Sequence, residues 1–399
     1  MRFGSRPLGV VLVAVVLLGV VAAGGVVAQE ADEAREAGEE GEEGGIEGML
    51  AGFVEGQGLV GAVLVLVAGM LLLTACVEKL ISYLTRAAFG LQVSLFALAV
   101  VFTGFEFDDT ILALVLSAGD LEGAALGTAL GTGLAIVGVT LALAAIVEPF
   151  PVDLPTDYVA LFGLSPLLLV PFVLAGTLTF VHGLLLLGAF VLMFGYIVVR
   201  EFQRDSRVFW DTDVGGRVQA DGGVALPKAV SRIPEDRFVG GRTGSGAIWL
   251  VLAVLALAGI VFASMLLEVG SEVVVEGFGI EQTVFGATVL TAILTFEDIM
   301  LTLEPVRRGV PEIGVGNVIG SVLFSLTGNV GVIMLLSELD ISGSVLTFHL
   351  PVVVLVTALA AYFLHEGRLE RWHGYLLGGL YVAYWVVAIA LFGGVPLGG

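Results

Sequence analysis

Two tripeptides decide how this chain is read: Phe107-Asp108-Asp109 and Phe296-Glu297-Asp298. Each stands in a long apolar run, roughly 91–119 and 280–304. Besides Glu281 and Glu304 at the edges of the second run, the runs carry five acids, Glu106, Asp108, Asp109, Glu297 and Asp298, and neither contains a Lys or Arg. Within hydrocarbon a carboxylate costs at least about 2.5–3.5 kcal/mol on insertion scales. With no basic partner at hand, protons or bound cations must balance that charge.

The composition explains why these runs lie in a membrane. The chain has 399 residues, of which 57% are hydrophobic and only 14% charged, against roughly a quarter charged in a soluble protein. A single soluble core does not hide that much apolar surface. Apolar segments fall at roughly 59–80, 91–119, 124–147, 158–176, 178–200, 247–268, 280–304, 313–337, 342–364 and 373–393. Each is long enough to cross a hydrocarbon layer of about 30 Å as a helix. The predicted fold is therefore an all-α membrane protein of ten spans, five on either side of a polar segment at 201–246.

The ends and the middle of the chain are polar. Residues 1–28, with Arg2, Arg6 and an apolar run, read as a secretory signal peptide or an extra membrane anchor. Residues 29–58 hold ten acids among small residues and read as a disordered extracellular tail. Eight of the 17 basic residues fall at 200–246, which makes that loop cytoplasmic and puts the N-terminal tail and the C-terminus outside. The net charge is −21, with Lys79 and Lys228 the only lysines. That excess excludes a basic nucleic-acid binder and points to a salt-loving source. The single Cys76 excludes a disulfide framework or a cysteine-based metal cluster.

An offset of 189 positions superposes 89–134 on 278–323 without gaps, with 11 identities in 46 positions. Phe107 and Asp109 fall on Phe296 and Asp298, and Asp108 falls on Glu297. Five spans per half give the halves opposite orientation, so these are inverted repeats, the architecture of many secondary transporters. The same offset aligns Gly127-Thr128-Ala129-Leu130-Gly131-Thr132 with Gly316-Asn317-Val318-Ile319-Gly320-Ser321. Spacing of four puts Gly127 and Gly131, or Gly316 and Gly320, on one helix face for close packing. Thr128, Asn317, Thr132 and Ser321 form a polar stripe beside them, suited to a hard cation. The competing reading is ordinary packing, with each hydroxyl bonded to its own helix.

These motifs resemble the sodium/calcium exchanger superfamily of cation antiporters. In that family a Gly-Thr-Ser-x-Pro-Glu segment precedes Gly-Asn-x-x-Gly-Ser, which Gly316–Ser321 matches and Gly127–Thr132 matches loosely. The resemblance covers roughly 59–200 and 247–393. It implies that Asp109 and Asp298 are cation ligands, joined by Asp108 and Glu297, and lined by Thr128, Asn317, Thr132 and Ser321. Expected cargo is Ca²⁺, exchanged for Na⁺ or H⁺ by alternating access, with no further cofactor. The family's Pro is replaced by Asp108 and Glu297, so a helix break there loses its usual cause. Its Thr-Ser pair becomes Phe105-Glu106 and Leu294-Thr295.

Other readings remain open: antiport of Na⁺ against H⁺ or of another divalent cation, and a degenerate homologue that does not transport. An intramembrane aspartyl protease would share a proton between two Asp residues. The Gly-x-Gly-Asp signature of those enzymes is absent, since Asp120 follows Ser117-Ala118-Gly119. Glu268, Glu272 and Glu276 read as a solvated helix face, with cation gathering at an outer mouth as the alternative. His182, His349, His365 and His373 read as interfacial.

Overall fold

The computed structural model describes residues 46–91, 106–119, 121–203, 246–307, 311–336 and 338–392. The signal segment 1–28, the start of the acidic tail, residues 92–105 of the second predicted span, and most of the 201–246 loop lie outside the described residues. The first half contains α1 (Ile46–Leu91), α2 (Phe107–Ala118), α3 (Glu122–Ala135), α4 (Ala142–Val147), β1 (Phe150–Pro151), α5 (Thr156–Leu164), α6 (Val170–Ala175), β2 (Thr177–Leu178) and α7 (Phe180–Gln203). The second half contains α8 (Gly246–Phe278), α9 (Gln282–Phe285), α10 (Thr291–Arg307), α11 (Pro311–Leu323), α12 (Val330–Leu336), β3 (Leu339–Asp340), α13 (Leu350–His365), β4 (Arg368–Leu369) and α14 (Arg371–Phe392).

Eight helical segments among the described residues are long and apolar enough to cross a membrane: Gly56–Cys76, Glu122–Val147, Thr156–Ala175, Phe180–Ile197, Val251–Phe278, Gly314–Leu336, Val345–His365 and Arg371–Phe392. Two further apolar helices are shorter, Asp109–Ala118 and Gln282–Thr295. π-helical turns at Ile136–Leu141, Gly286–Leu290, Phe324–Asn329 and Val345–His349 join several helices into continuous rods.

One expectation needs correction. Residues from Ile46 to Gly58, assigned to a disordered tail, belong to α1, which changes direction at Gly58 (φ 58°, ψ −145°). Ile46, Met49, Leu50, Phe53 and Val54 recur at helical spacing, and Val54 is fully buried. That apolar stripe offsets the acids around it. The positive φ at the kink is a conformation glycine adopts without a steric penalty.

α1 and α8 pack chiefly on each other, and α8 also contacts α2. Gly69 fits against Ala263, Leu266 and Leu267, and Gly270 fits against Leu66 and Ala62. The remaining helices form a second body. Within it α3 crosses α9 and α10, α10 packs on α11, and α7 lies along α12. Two short antiparallel strand pairs bridge the halves. Phe150 pairs with Leu369 and Pro151 with Arg368; Thr177 pairs with Asp340 and Leu178 with Leu339. A helical segment of span length, Thr156–Ala175, separates β1 from β2, so the two pairs sit at opposite ends of the body.

The histidines also depart from expectation. His349 is fully buried, and its Nδ1 lies 2.7 Å from the Tyr384 hydroxyl. His373 is buried as well, stacked on Phe363.

Candidate functional site

α2 begins where the acids are. Glu106 caps it with an extended backbone (φ −84°, ψ 90°), and its carbonyl accepts from Thr110 N at 3.1 Å and Thr110 Oγ1 at 2.9 Å. The helix therefore begins at Phe107, with no proline in its first turn. The first turn, with its exposed N–H groups and positive dipole end, is a favourable place for carboxylates. In the second half the corresponding stretch is continuous helix, since α10 runs from Thr291 through Asp298 to Arg307.

The Glu106 carboxylate reaches across to the other half. Its Oε2 accepts a 2.9 Å hydrogen bond from Ser325 Oγ, and Ser321 lies beside the same carboxylate. Asp109 and Asp298 lie close enough to repel it electrostatically. Oε1 of Glu106 is buried without a hydrogen bond. Asp109 is 2% exposed and Asp298 9%. A carboxylate trio thus gathers residues from α2 and α10, edged by hydroxyls from α11 and the turn that follows it. The trio is open rather than a closed chelate: no group of three Asp, Glu, His or Cys among the described residues is placed to hold a metal ion. A cation entering here would take its remaining oxygens from hydroxyls, backbone or water, as hard cations do.

The predicted residues separate in the structure. Asp109 and Asp298 are brought together with Glu106, and Ser321 joins them. The Asp108 and Glu297 side chains lie outside the described residues. The Thr128 hydroxyl donates to its own helix at Ala124 O, 2.8 Å away, while the Thr128 carbonyl meets Thr291 Oγ1 at 3.5 Å. Thr128 therefore follows the packing alternative. Asn317 Nδ2 reaches Thr302 Oγ1 at 3.5 Å and ties α11 to α10. Thr132 is buried with a hydroxyl that has no hydrogen bond. Gly127 and Gly131 serve close packing as expected: a Cβ on Gly127 would run into the Thr283 carbonyl, and one on Gly131 into Thr291 and Ala287. Gly320 is buried and Gly316 partly buried in α11.

Two residues escaped the prediction, Glu106 as a member of the site and Ser325. The signal for Ser325 is present, because Asn317, Ser321, Ser325 and Asn329 recur every four residues and continue one helix face. Asn329, the last of them, is fully buried with its amide unsatisfied. A correction also falls on Glu268. Glu272 and Glu276 are exposed as expected, but Glu268 is only 7% exposed because α8 turns that face toward α2.

Comparison with known proteins places this arrangement. The sodium/calcium exchanger protein family matches residues 61–199 and 248–390. Inner membrane protein YrbG of Escherichia coli is 26% identical over 311 residues, 75% of this chain and 87% of that protein. Sodium/calcium exchanger MaX1 of Methanosarcina acetivorans is 30% identical over 135 residues, 34% of this chain and 39% of its own length. Putative antiporter CaxA of Alkalimonas amylolytica is 24% identical across 69% of this chain and 80% of its own. Among solved structures, the sodium-calcium exchanger NCX_Mj aligns with a TM-score of 0.51 at 20% identity, covering 84% of this chain and 99% of that one, which is a likeness of fold. With both halves matched and the acids of the two halves meeting in apolar helices, this chain belongs to the sodium/calcium exchanger family of transporters rather than to any family of enzymes.

Proposed function

We propose that the protein is a secondary active cation antiporter that carries Ca²⁺ against Na⁺ or H⁺ by alternating access. The observation that carries this reading is the meeting of Glu106, Asp109 and Asp298 with Ser321 and Ser325 inside apolar helices that contain no basic side chain near them. Three carboxylates in a low-dielectric site demand compensating positive charge. A divalent ion balances two of them, and its coupling partner needs the same cavity, which is the logic of exchange. The names of MaX1 and CaxA support the same class.

The helices support ten spans in two inverted repeats. Eight long and two shorter apolar helices make up the set. The π-turns at 136–141 and 324–329 recur at nearly the sequence offset, and Phe150 of β1 and Leu339 of β3 stand 189 apart. The strand pairing is reciprocal, β1 with β4 and β2 with β3, as a two-fold relation between halves requires. The basic 201–246 loop sets the cytoplasmic side. In this scheme α1 and α8, which pack chiefly on each other, slide against the second body and expose the carboxylates to one side at a time.

The test is calcium uptake into inside-out vesicles under an imposed sodium gradient and, separately, a proton gradient. Gradient-driven uptake is expected, with Asp109→Asn and Asp298→Asn each reducing it to background. No flux of any cation in the wild-type protein would sink the antiporter reading. Full flux in the Asn variants would sink the site.

A further inference from the structure

One buried polar group stands next to the carboxylate trio with no role in it so far. Asn329 is fully buried, and among the described residues neither its Oδ1 nor its Nδ2 makes a hydrogen bond. Buried polar atoms are nearly always paired, so an amide left open on both sides calls for a partner. Its direction follows from its neighbours. Ser325 points at Glu106, because its hydroxyl donates to that carboxylate. Four residues are close to one full turn in an α-helix or a π-turn, so Asn329 continues the Ser325 face. The other faces of the same rod are taken. Gly328 and Gly331 lie against Phe190, Gly183 and Leu187 of α7, and Leu326 covers Gly133 of α3. The amide is thus held on the side of the rod that meets α2, one turn beyond Ser325. On α2 the matching group is Glu106 Oε1, also buried and also without a hydrogen bond.

From these two open groups we propose that Asn329 is a ligand of the cation site, its Oδ1 and Glu106 Oε1 taking one divalent ion between them. An ion held at about 2.3–2.6 Å from each oxygen joins groups up to roughly 5 Å apart, beyond hydrogen-bond reach. The Ser325 oxygen gives its proton to Oε2 and keeps its lone pairs for an ion. The set is then a carboxylate, a hydroxyl and an amide carbonyl, the hard oxygens that calcium takes, with Asp109 and Asp298 supplying further charge. Nδ2 cannot bind a cation, which fixes the amide with Oδ1 forward. The arrangement is one-sided. Under the offset of 189, Glu106, Ser325 and Asn329 fall on Thr295, Ile136 and Thr140. Thr140 is likewise fully buried with an idle hydroxyl, but no carboxylate stands where Glu106 would be. The proposal rests on reading the trio as a cation site; whether the ion is then transported is a separate matter.

Equilibrium binding of radioactive Ca²⁺ to the purified full-length protein in detergent tests this. Asn329→Leu keeps the size and removes the oxygen. It should weaken binding about tenfold and shrink the rise in unfolding midpoint that Ca²⁺ gives the wild type. Thr140→Val, the equivalent change in the other half, should leave the isotherm as it is. An idle amide would behave otherwise. Replacing it with an apolar group would raise the midpoint without Ca²⁺ and leave the affinity unchanged. Unchanged affinity in Asn329→Leu overturns the proposal, as does a wild-type protein that binds no Ca²⁺. If Asn329→Leu does not fold, Asn329→Asp reads the same place: tighter binding supports the ligand, and unchanged or weaker binding overturns it. Flux in vesicles separates the two proposals. Asn329-dependent binding in a protein that shows no antiport would retain the ligand and discard the transport reading. Antiport with binding indifferent to Asn329 would do the reverse.

Discussion

Ser325 Oγ donates a 2.9 Å hydrogen bond to Oε2 of Glu106, joining residues 219 positions apart. The acceptor sits at the start of α2 and the donor follows α11, so one contact fixes a carboxylate of the first half by a hydroxyl of the second. A hydrogen bond to a charged group is worth about 1.5–3 kcal/mol. Ser325→Ala should free the carboxylate and raise the half-saturating cation concentration roughly tenfold while leaving maximal uptake largely intact. Uptake titrations in vesicles read this directly; an unchanged half-saturation would show that the bond does not shape the site.

Glu106 has no acidic counterpart in the other half, since the position under the 189 offset is Thr295, whose hydroxyl is bonded to Thr291 O. Glu106→Ser makes both positions hydroxyls and removes one negative charge from the trio. Divalent affinity should fall about tenfold or more, because calcium sites are tuned by the count of charged ligands. Monovalent competition should strengthen in the same measurement. Competition of Na⁺ against Ca²⁺ in wild type and variant checks both.

The crossing of α3 with α9 and the turn after it depends on missing side chains. A Cβ on Gly127 meets the Thr283 carbonyl, and one on Gly286 meets the Ala124 carbonyl. Backbone atoms cannot rotate aside, so Gly127→Ala or Gly286→Ala must part the helices, at a cost of about 1–3 kcal/mol or more. Gly188, which has open space around it, should accept Ala without effect. Thermal unfolding in detergent distinguishes the three.

Tyr384→Phe should destabilise the protein by about 1–3 kcal/mol, because buried His349 would lose the partner 2.7 Å from its Nδ1. The double change His349→Phe with Tyr384→Phe should recover part of the loss, since removing both partners leaves no orphan. A double-mutant cycle in the same unfolding assay gives the coupling.

Cys76 is the only cysteine, and the Cβ of a residue at position 259 would lie 3.6 Å from its Cβ, within the range a disulfide needs. Gly259→Cys should therefore cross-link α1 to α8 on oxidation. If these helices move as one unit, the cross-linked protein keeps its flux; loss of flux that reduction restores would show that they move past each other.

Eight of the ten predicted spans meet helices of span length because long apolar runs are strong signals: a predicted 124–147 meets a helical 122–147, and 373–393 meets Arg371–Phe392. The helix at 46–58 was masked by its acids, although its apolar spacing was there to be read. The repeat pointed to Asp109 and Asp298, where acids coincide, and away from Glu106, whose counterpart is a threonine. The Ser325 contact depends on two segments meeting in space, which no local pattern records. Thr128 and Asn317 have the chemistry of ligands; the Thr128 hydroxyl is bonded within its own helix and the Asn317 amide reaches Thr302 of α10, and which of these bonds forms is not written in the motif.

The paired strands have a mechanical consequence. β1 with β4 and β2 with β3 fasten the halves of the second body to each other at both ends, like a box riveted at lid and base. Such a frame resists prying apart. In the proposed exchange cycle, motion that opens a path falls to the pair α1 and α8, whose main purchase on the frame is α2. On that proposal the protein works as a stator with a slide, and the rivets are four dipeptides of backbone.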